Sequence, residues 1–267
     1  MAKRALEHVR RMRGGAQAHL LRCHDDAYYV TKFQNNPQHI RILANEMLAA
    51  GLAQALGLPV ARPEVVEVQA NLIEATPDLR LHIRGKWEKC LPGFQFGSRF
   101  PGAPGRALVY DLLPDERLAE VENLCAFAGI LLFDQWACNT NGRQVLFVSE
   151  PHAAGRHYRA LMIDQGFCFN AGEWSFPDSG LRGLYHRHRV YDHVRGWESL
   201  EPYLSRLETL PPRVFDEAAA AVPPEWYNGD TEAMTRLLEQ LDRRRRRIRE
   251  LISAVRNFTR QPFAHWS

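Results

Sequence analysis

Residues 131–147 constrain the fold of this chain more than any other stretch. An apolar run reaches Asp134, a polar loop over residues 139–144 follows, and a second short apolar run then predicts a strand. About twenty residues later, another strand-like run over 158–163 ends on Asp164. Two carboxylates are therefore expected at the ends of buried elements, where an acid needs a partner. We interpret them as parts of a site for a metal ion and a phosphate.

Composition excludes several classes of protein. The 267 residues, 45% of them hydrophobic, are enough for the core of one large domain or two small lobes. A net charge of +3 does not by itself indicate a nucleic acid or a membrane surface as partner. Five scattered cysteines without metal-type spacing predict reduced thiols and a cytoplasmic location. Because the N-terminus is charged and no long apolar run occurs, we expect the sequence to contain no signal peptide and no transmembrane helix.

The first part of the chain has the pattern of an antiparallel sheet. Alternating residues over 5–33, with turn residues at 14–15 and 25–26, predict a three-stranded meander. Residues 14–17 (Gly14, Gly15, Ala16 and Gln17) have two interpretations. They form either an ordinary hairpin turn, which is the commoner case, or a loop whose backbone N–H groups cover a phosphate.

A lysine and a glutamate follow at a suggestive spacing. Lys32 lies in the predicted strand 28–33, and Glu46 lies within a predicted helix over 38–56 that ends at a glycine. This spacing suits an ion pair that holds an ammonium group against phosphate oxygens. A further strand over 62–68 is predicted to close the sheet and to offer backbone groups of Glu67 and Val68 to an adenine.

The middle of the chain, residues 70–113, is rich in proline and glycine and is predicted to be an irregular connection. Its phenylalanine-rich centre, 92–101, is interpreted as a loop packed on the core. The predicted divisions are therefore 1–70, 71–113 and 114–267.

The last division is predicted to be mainly helical. Asp115 is expected to cap a helix that runs to the region of Asp134, and further helices are expected over 200–207, 213–221 and 230–255. Residues 172–189 are predicted to be a long mobile segment, in which His186 and His188, like His193 just beyond it, are surface residues. Arginines 243–247 are interpreted as a solvated helix face rather than as a nucleic-acid patch.

In this order the pieces resemble the HipA-like kinase family, particularly its shorter single-domain branch. The matching stretches are 12–19, 29–33, 45–46, 92–101, 133–144, 162–166 and 224–227. The resemblance implies an α+β, bilobal, protein-kinase-like fold. Its N-lobe would be an antiparallel sheet with one helix, and its C-lobe would be largely helical with a catalytic-loop hairpin.

The resemblance also implies a role for each residue of the site. Lys32 would contact the α- and β-phosphates of ATP, Glu46 would orient Lys32, and residues 14–17 would lie over the phosphates. Asp164 would hold Mg²⁺, with Gln144 or Asn139 completing the metal shell.

One position departs from the family pattern. The run 139–144 has Asn141 where a catalytic aspartate is expected. A neutral amide accepts a hydrogen bond from a hydroxyl group but cannot take up its proton, so we expect Asn141 to orient an acceptor. Asp134 is the other catalytic candidate, although an anchoring role for the loop is slightly favoured. Arg143 would either neutralise phosphate charge or pair with Asp134.

Three functions compete at this point. The first is an ATP- and Mg²⁺-dependent kinase that acts on a protein or small-molecule acceptor. The second is a pseudokinase that binds nucleotide or a partner without phosphoryl transfer, and the third, the weakest, is an arginine-rich nucleic-acid-binding protein. The resemblance also suggests Ser175 or Ser179 as a weak candidate for autophosphorylation.

Overall fold

The structure is a computed structural model that describes residues 1–106, 108–149, 157–259 and 261–267. Its strands are β1 (Lys3–Arg11), β2 (His19–Cys23), β3 (Tyr28–Lys32), β4 (Pro63–Val68), β5 (Arg80–Ile83), β6 (Lys86–Lys89), β7 (Gly93–Arg99), β8 (Leu108–Tyr110), β9 (Gln144–Ser149) and β10 (Arg159–Ile163). Its helices are α1 (Ile42–Ala55), α2 (Ala70–Ala75), α3 (Ala126–Trp136), α4 (Tyr203–Glu208), α5 (Pro212–Ala220), α6 (Thr231–Arg245) and α7 (Ile248–Arg256). The N-terminal part is thus rich in sheet and the C-terminal part is mainly helical.

Five strands close into a small barrel in the order β1-β2-β3-β7-β4. The first three pair antiparallel, so the predicted meander over 5–33 is confirmed. Helix α1 follows β3, and eleven of its fourteen residues are buried. A helix that is buried on nearly all sides holds its polar residues, here Asn45 and Glu46, in fixed positions.

The irregular connection predicted over 70–113 is wrong in its centre. Residues 93–99, expected to be a loop, form β7, which pairs with β3 on one side and β4 on the other. The same region also contains helix α2, the β5–β6 hairpin and strand β8. The strand has a glycine at position 97 because a Cβ there would lie only 2.4 Å from Val66 Cγ2.

Helix α3 lies at the centre of the C-terminal part, and all eleven of its residues are buried. Its last residue, Trp136, donates a 2.9 Å hydrogen bond to the carbonyl of Leu241 on α6. The predicted helix from Asp115 is instead a short 3₁₀ helix, Asp115–Glu120, separated from α3 by a segment that bridges to Tyr158. The long helix predicted over 230–255 is two helices, α6 and α7.

Residues 172–189, predicted to be long and mobile, pack several aromatic side chains into the core, Tyr185 among them. Of the histidines expected on the surface, His186 and His188 are exposed and His193 is partly buried. Each arginine of the 243–247 run contacts a carboxylate, and Arg244 is buried and also donates to the carbonyls of Gln135 and Trp136. The run therefore holds the helices together and offers little unpaired positive charge.

A three-stranded sheet in the order β10-β9-β8 lies beside the barrel. Strand β10 pairs antiparallel with β9, and its end delivers Asp164 next to β3. Within the described part of the chain, no helix has the length and apolar character that a membrane span requires.

Candidate active site

A cleft of about 900 Å³ lies between the barrel and the β9–β10 strands. It brings together residues that are far apart in the sequence. Those predicted for the site and present in its wall are Gly14, Gly15, Ala16, Lys32, Glu46, Asn141, Gln144 and Asp164. Its apolar wall includes Val30, Ala61, Phe96, Leu146, Leu161 and Ile163.

Three charged side chains meet at the inner end of the cleft. The Lys32 ammonium donates to Glu46 Oε1 and, over 2.6 Å, to Asp164 Oδ1. The Lys32 and Glu46 side chains are only 9% and 2% exposed, and that of Asp164 is 17% exposed. The cluster carries two carboxylates for one ammonium, so its net charge of −1 suits a cation as a further partner.

These neighbours shift the acid–base equilibria of the cluster. Burial would raise the pKa of Asp164, but the Lys32 ammonium outweighs it and lowers that pKa below its ordinary value. Burial raises the pKa of Glu46, and Lys32 opposes part of that rise. For Lys32, burial would lower the pKa, yet the two carboxylates together raise it. Asp164 is therefore the carboxylate that most strongly favours its ionised form, beside the open part of the cleft.

Helix α1 fixes the backbone that follows Asp164. Glu46 accepts hydrogen bonds from the backbone N–H groups of Gln165, at 3.0 Å, and Gly166, at 2.9 Å. The Asn45 side-chain amide lies within hydrogen-bond distance of three carbonyl oxygens, those of Gly166, Cys168 and Ala171. Asp164 itself has φ +60°, a left-handed conformation that aspartate tolerates better than most residues. The turn after β10 is thus held in the one geometry that faces the Asp164 carboxylate to Lys32.

The glycine pair lies in the loop between β1 and β2. Hydrogen bonds from Met12 N to Ala18 O, 2.8 Å, and from Gln17 N to Gly14 O, 3.1 Å, close the loop. Gly14 has φ +114°, which a residue with a side chain rarely adopts. The loop therefore is a hairpin turn and, at the same time, a wall of the cleft, so the two predicted interpretations are compatible.

Gln17 faces away from the cleft. Its side chain bonds both backbone groups of His82 in the β5–β6 hairpin, at 2.7 Å and 2.9 Å. It therefore fastens the glycine loop to the β5–β6 hairpin and is not among the residues that line the cleft.

Asp134 and Arg143 form an ion pair away from the cleft, and both side chains are 0% exposed. The Arg143 guanidinium donates to both Asp134 oxygens and, over 2.7 Å, to the carbonyl of Ile163 at the end of β10. Burial raises the pKa of the Asp134 carboxyl, and Arg143 opposes part of that rise. The Asp134 carboxylate thus holds the loop through the side chains of Asn139 and Arg143.

Asn139 also lies outside the cleft, at 1% exposure. Its amide donates to Asp134 Oδ1 at 3.1 Å, and its Oδ1 accepts from the backbone N–H of Asn141 at 3.1 Å. Both ends of the side chain, which was expected to complete a metal shell, are thus engaged within the loop. Asn141 and Gln144, by contrast, line the cleft on the side opposite the glycine loop.

Glu67 and Val68, expected to offer backbone groups to an adenine, are not among the residues that line the cleft. They lie on β4, which β7 separates from β3, and Val68 is fully buried in a small core inside the barrel region. The cleft is instead lined by Phe96, Ser98, Arg99, Phe100 and Pro101, from β7 and the residues after it. The sequence pattern of this stretch predicts a loop packed on the core, so it gives no signal for these cleft residues.

The donor set can be tested against a metal ion. The described residues contain no group of three His, Cys, Asp or Glu side chains suited to holding one. Asp164 together with the amide oxygens of Asn141 or Gln144 fits Mg²⁺, which commonly takes one or two carboxylates and completes its shell with phosphates and water. A cation in this cleft would therefore depend on a bound phosphate compound.

Comparisons with known structures agree on the fold. A structure of the Golgi casein kinase aligns with a TM-score of 0.52 and 12% identity, over 100% of this chain and 78% of that one. A second structure of the Golgi casein kinase, with Mn/ADP bound, aligns with the same score and identity over 95% and 72% of the two chains. A comparison with curated protein sequences finds no match. The sequence profile of the HipA-like kinases matches residues 6–258, so the chain belongs to the HipA-like kinase family.

Proposed function

We propose that this protein is an ATP- and Mg²⁺-dependent phosphotransferase that transfers the γ-phosphate to a hydroxyl group of a protein or small-molecule acceptor. The observation that carries the proposal is the Lys32–Glu46–Asp164 cluster, buried at the inner end of a cleft that the glycine loop borders. An ion cluster of this kind contributes little net stability to a fold, because desolvation offsets most of its attraction. Its arrangement is better explained by a ligand that carries both a cation and phosphate groups.

The nucleotide would lie along the cleft with its phosphates at the Lys32 end. The base would contact the apolar wall formed by Val30, Phe96 and Leu161, near residues 98–101. The backbone of Gly14 and Gly15 would approach the phosphates closely because no side chain intervenes. Support for a nucleotide comes from the Golgi casein kinase, a protein of the same fold whose structure contains Mn/ADP.

Mg²⁺, when bound, would neutralise charge on the β- and γ-phosphates. Asp164 would hold the metal ion, and Asn141 or Gln144 would add an amide oxygen to its shell. Glu46 would keep Lys32 in position, and Lys32 would contact phosphate oxygens. The Arg143–Asp134 pair would fix the loop that carries Asn141, since Arg143 also binds the carbonyl of Ile163, the residue before Asp164.

In the transfer step, the acceptor oxygen bonds to the γ-phosphorus as the bond to the β,γ-bridging oxygen breaks. ADP leaves with the electron pair, and the acceptor proton passes to water. Because the transition state is loose, the acceptor oxygen gains little positive charge before the bond to ADP is largely broken, so proton removal has a small share in the barrier. A neutral Asn141 that orients the hydroxyl group is therefore compatible with transfer.

A pseudokinase is the second candidate, and one observation favours it. Asn141 lies in the cleft at the place expected for a catalytic aspartate, and Asp134 is fully buried against Arg143. If transfer requires a carboxylate base, neither residue supplies it, and the protein would bind nucleotide or a partner without turnover. Asn141→Asp distinguishes the two candidates, because a pseudokinase that lacks only the base would gain activity from this change.

Calorimetric titration of ATP into the protein, with and without Mg²⁺, tests the binding half of the proposal. We expect Mg²⁺-dependent binding to the wild type, a weakening of at least about tenfold for Lys32→Met, and loss of the Mg²⁺ dependence for Asp164→Asn. Gln17→Ala is the matched control, because this residue lies outside the cleft although it belongs to the same loop. Equal binding by all four proteins, or no binding by the wild type, would overturn the proposal.

A further inference from the structure

The pairing of the barrel strands orders the arginines that line the cleft. Arg10 pairs with Leu20, Leu20 with Val30, and Val30 with Ser98, so Arg10 lies at the level of the apolar wall. Arg11 is one step further, opposite His19. The backbone bond from Met12 to Ala18 continues the ladder.

Arg13 comes after that bond, and Ala18 is the residue before His19, which pairs with Thr31. The same ladder therefore places Ala18 at the level of Lys32 and Arg13 beyond it. Since Lys32 marks the phosphate end of the proposed nucleotide, Arg13 stands at the end where the γ-phosphate and the acceptor would meet.

The cations near that end differ in whether they are already engaged. Lys32 bonds two carboxylates, and Arg143 is buried against Asp134. Arg11 bonds the Gln17 side chain and lies over the Trp87 ring, 4.5 Å from its centre. Arg13 is exposed, lines the cleft, and has no hydrogen bond or ion pair with any side chain that the structure describes.

The opposite wall makes this cation significant. Asn141 and Gln144 are neutral, so the catalytic loop brings no charge of its own to the transferred phosphoryl group. Negative charge on the three γ-phosphate oxygens is what a phosphotransferase must stabilise in a loose transition state. An arginine matches phosphate oxygens in a two-pronged hydrogen-bonding geometry and remains charged at any relevant pH.

We propose that Arg13 is a catalytic residue of this protein, which binds the γ-phosphate from the glycine-loop side and stabilises it during transfer. The inference rests on the proposed function. Gly14 follows Arg13 directly and has φ +114°, a backbone conformation that a residue with a side chain rarely adopts, so the loop that carries Arg13 depends on glycine at this position. In this arrangement, the glycine loop supplies a positive charge that the neutral side chains of Asn141 and Gln144 do not supply.

The test compares Arg13→Gln with Arg10→Gln, two changes that remove the same charge from the same wall at different levels of the strand pairing. Calorimetry would measure the affinities of Mg²⁺ with ADP and with the non-hydrolysable β,γ-imido analogue of ATP. We expect Arg13→Gln to weaken the analogue at least tenfold and ADP less than threefold. Arg10→Gln should change both affinities by the same factor, because the strand pairing places Arg10 at the level of the apolar wall and not at that of Lys32.

A second readout is the rate of ADP formation in a single turnover. Removal of one such charge typically slows phosphoryl transfer by about 100-fold or more, and Arg13→Lys should restore part of the rate. If Arg13→Gln and Arg10→Gln have the same effect on the analogue-to-ADP ratio, the inference is overturned while the proposed function stands. If the wild type binds neither nucleotide, both fall together. A wild type that binds but does not turn over still tests Arg13 through the affinity ratio.

Discussion

The buried pair of Asp134 and Arg143 gives the sharpest prediction about stability. Both side chains are 0% exposed, and Arg143 bonds Asp134 twice and the carbonyl of Ile163 once. Asp134→Leu would leave the guanidinium buried with a single carbonyl as its partner. Breaking a buried ion pair from one side costs about 3–5 kcal/mol, because the remaining charge is desolvated without compensation.

The double variant Asp134→Leu/Arg143→Leu removes both charges. What it leaves behind is an Asn139 amide and an Ile163 carbonyl that each lose a partner, at about 1 kcal/mol apiece for bonds of this kind. The sum of the stability losses of the two single variants should therefore exceed the loss of the double variant by at least about 2 kcal/mol.

Urea denaturation followed by tryptophan fluorescence measures all four proteins, and a thermal scan should show each single variant melting about 10 °C below the wild type. The anchoring role assigned to Asp134 would be refuted by a particular combination. If Asp134→Leu unfolds within about 1 kcal/mol of the wild type and yet abolishes ADP formation, Asp134 acts in catalysis.

Two further predictions concern acid stability and the turn after β10. Burial, with a contribution from neighbouring His8, lowers the pKa of His19 to about 4 from 6.5. Between these pH values the unfolded chain binds a proton on His19 that the folded protein does not bind, so the free energy of unfolding should fall by about 3 kcal/mol as the pH drops from 6.5 to 4. Urea titrations across this range should show a weaker pH dependence of that free energy for His19→Gln than for the wild type. An equal pH dependence in both proteins would refute the assignment. Gly166→Ala would place a Cβ 2.6 Å from Ile42 Cγ1 and 3.1 Å from Glu46 Oε1. We therefore expect a lower melting temperature and weaker Mg-ATP binding for this variant. An unchanged melting temperature and an unchanged affinity would show that this packing is not needed.

The residues of the site were predictable where one local pattern sufficed. Lys32 stands in a short strand, Glu46 in a helix with an evident stop, and Asp164 at the end of an apolar run, and the structure places all three within hydrogen-bond distance. In the polar loop, local pattern could not distinguish Asn139 from Asn141. Tertiary contacts decide that difference, since Asn139 is engaged by Asp134 while Asn141 faces the cleft.

Strand β7 was missed for an identifiable reason. Its glycine at position 97 looks like a turn signal, yet it is required by the close approach of Val66 on the neighbouring strand β4. A sequence pattern reports local conformation, whereas this glycine is needed because of a contact with a residue thirty-one positions earlier in the chain. Because the pattern of residues 92–101 predicts a loop, the adenine contact is expected from the next available strand, β4, with Glu67 and Val68. In the structure, residues of β7 line the cleft.

The C-terminal helices show the same limit. The apolar stripe of the predicted helix over 230–255 continues in phase from α6 to α7, so nothing in the spacing of its residues marks the break at residues 246–247. Arg244 is buried because it caps the carbonyls of Gln135 and Trp136 at the end of α3. A run of arginines that looks solvated in the sequence is therefore partly structural.

The most direct test of the central claim is the formation of ADP from ATP in the presence of Mg²⁺, compared between the wild type and Asp164→Asn. Asparagine keeps the shape of the side chain but removes the charge that the Lys32–Glu46–Asp164 cluster offers to a cation. We predict Mg²⁺-dependent ADP formation by the wild type and its loss in the variant, with both proteins folded by circular dichroism. ADP formation at the same rate in both proteins would contradict the account.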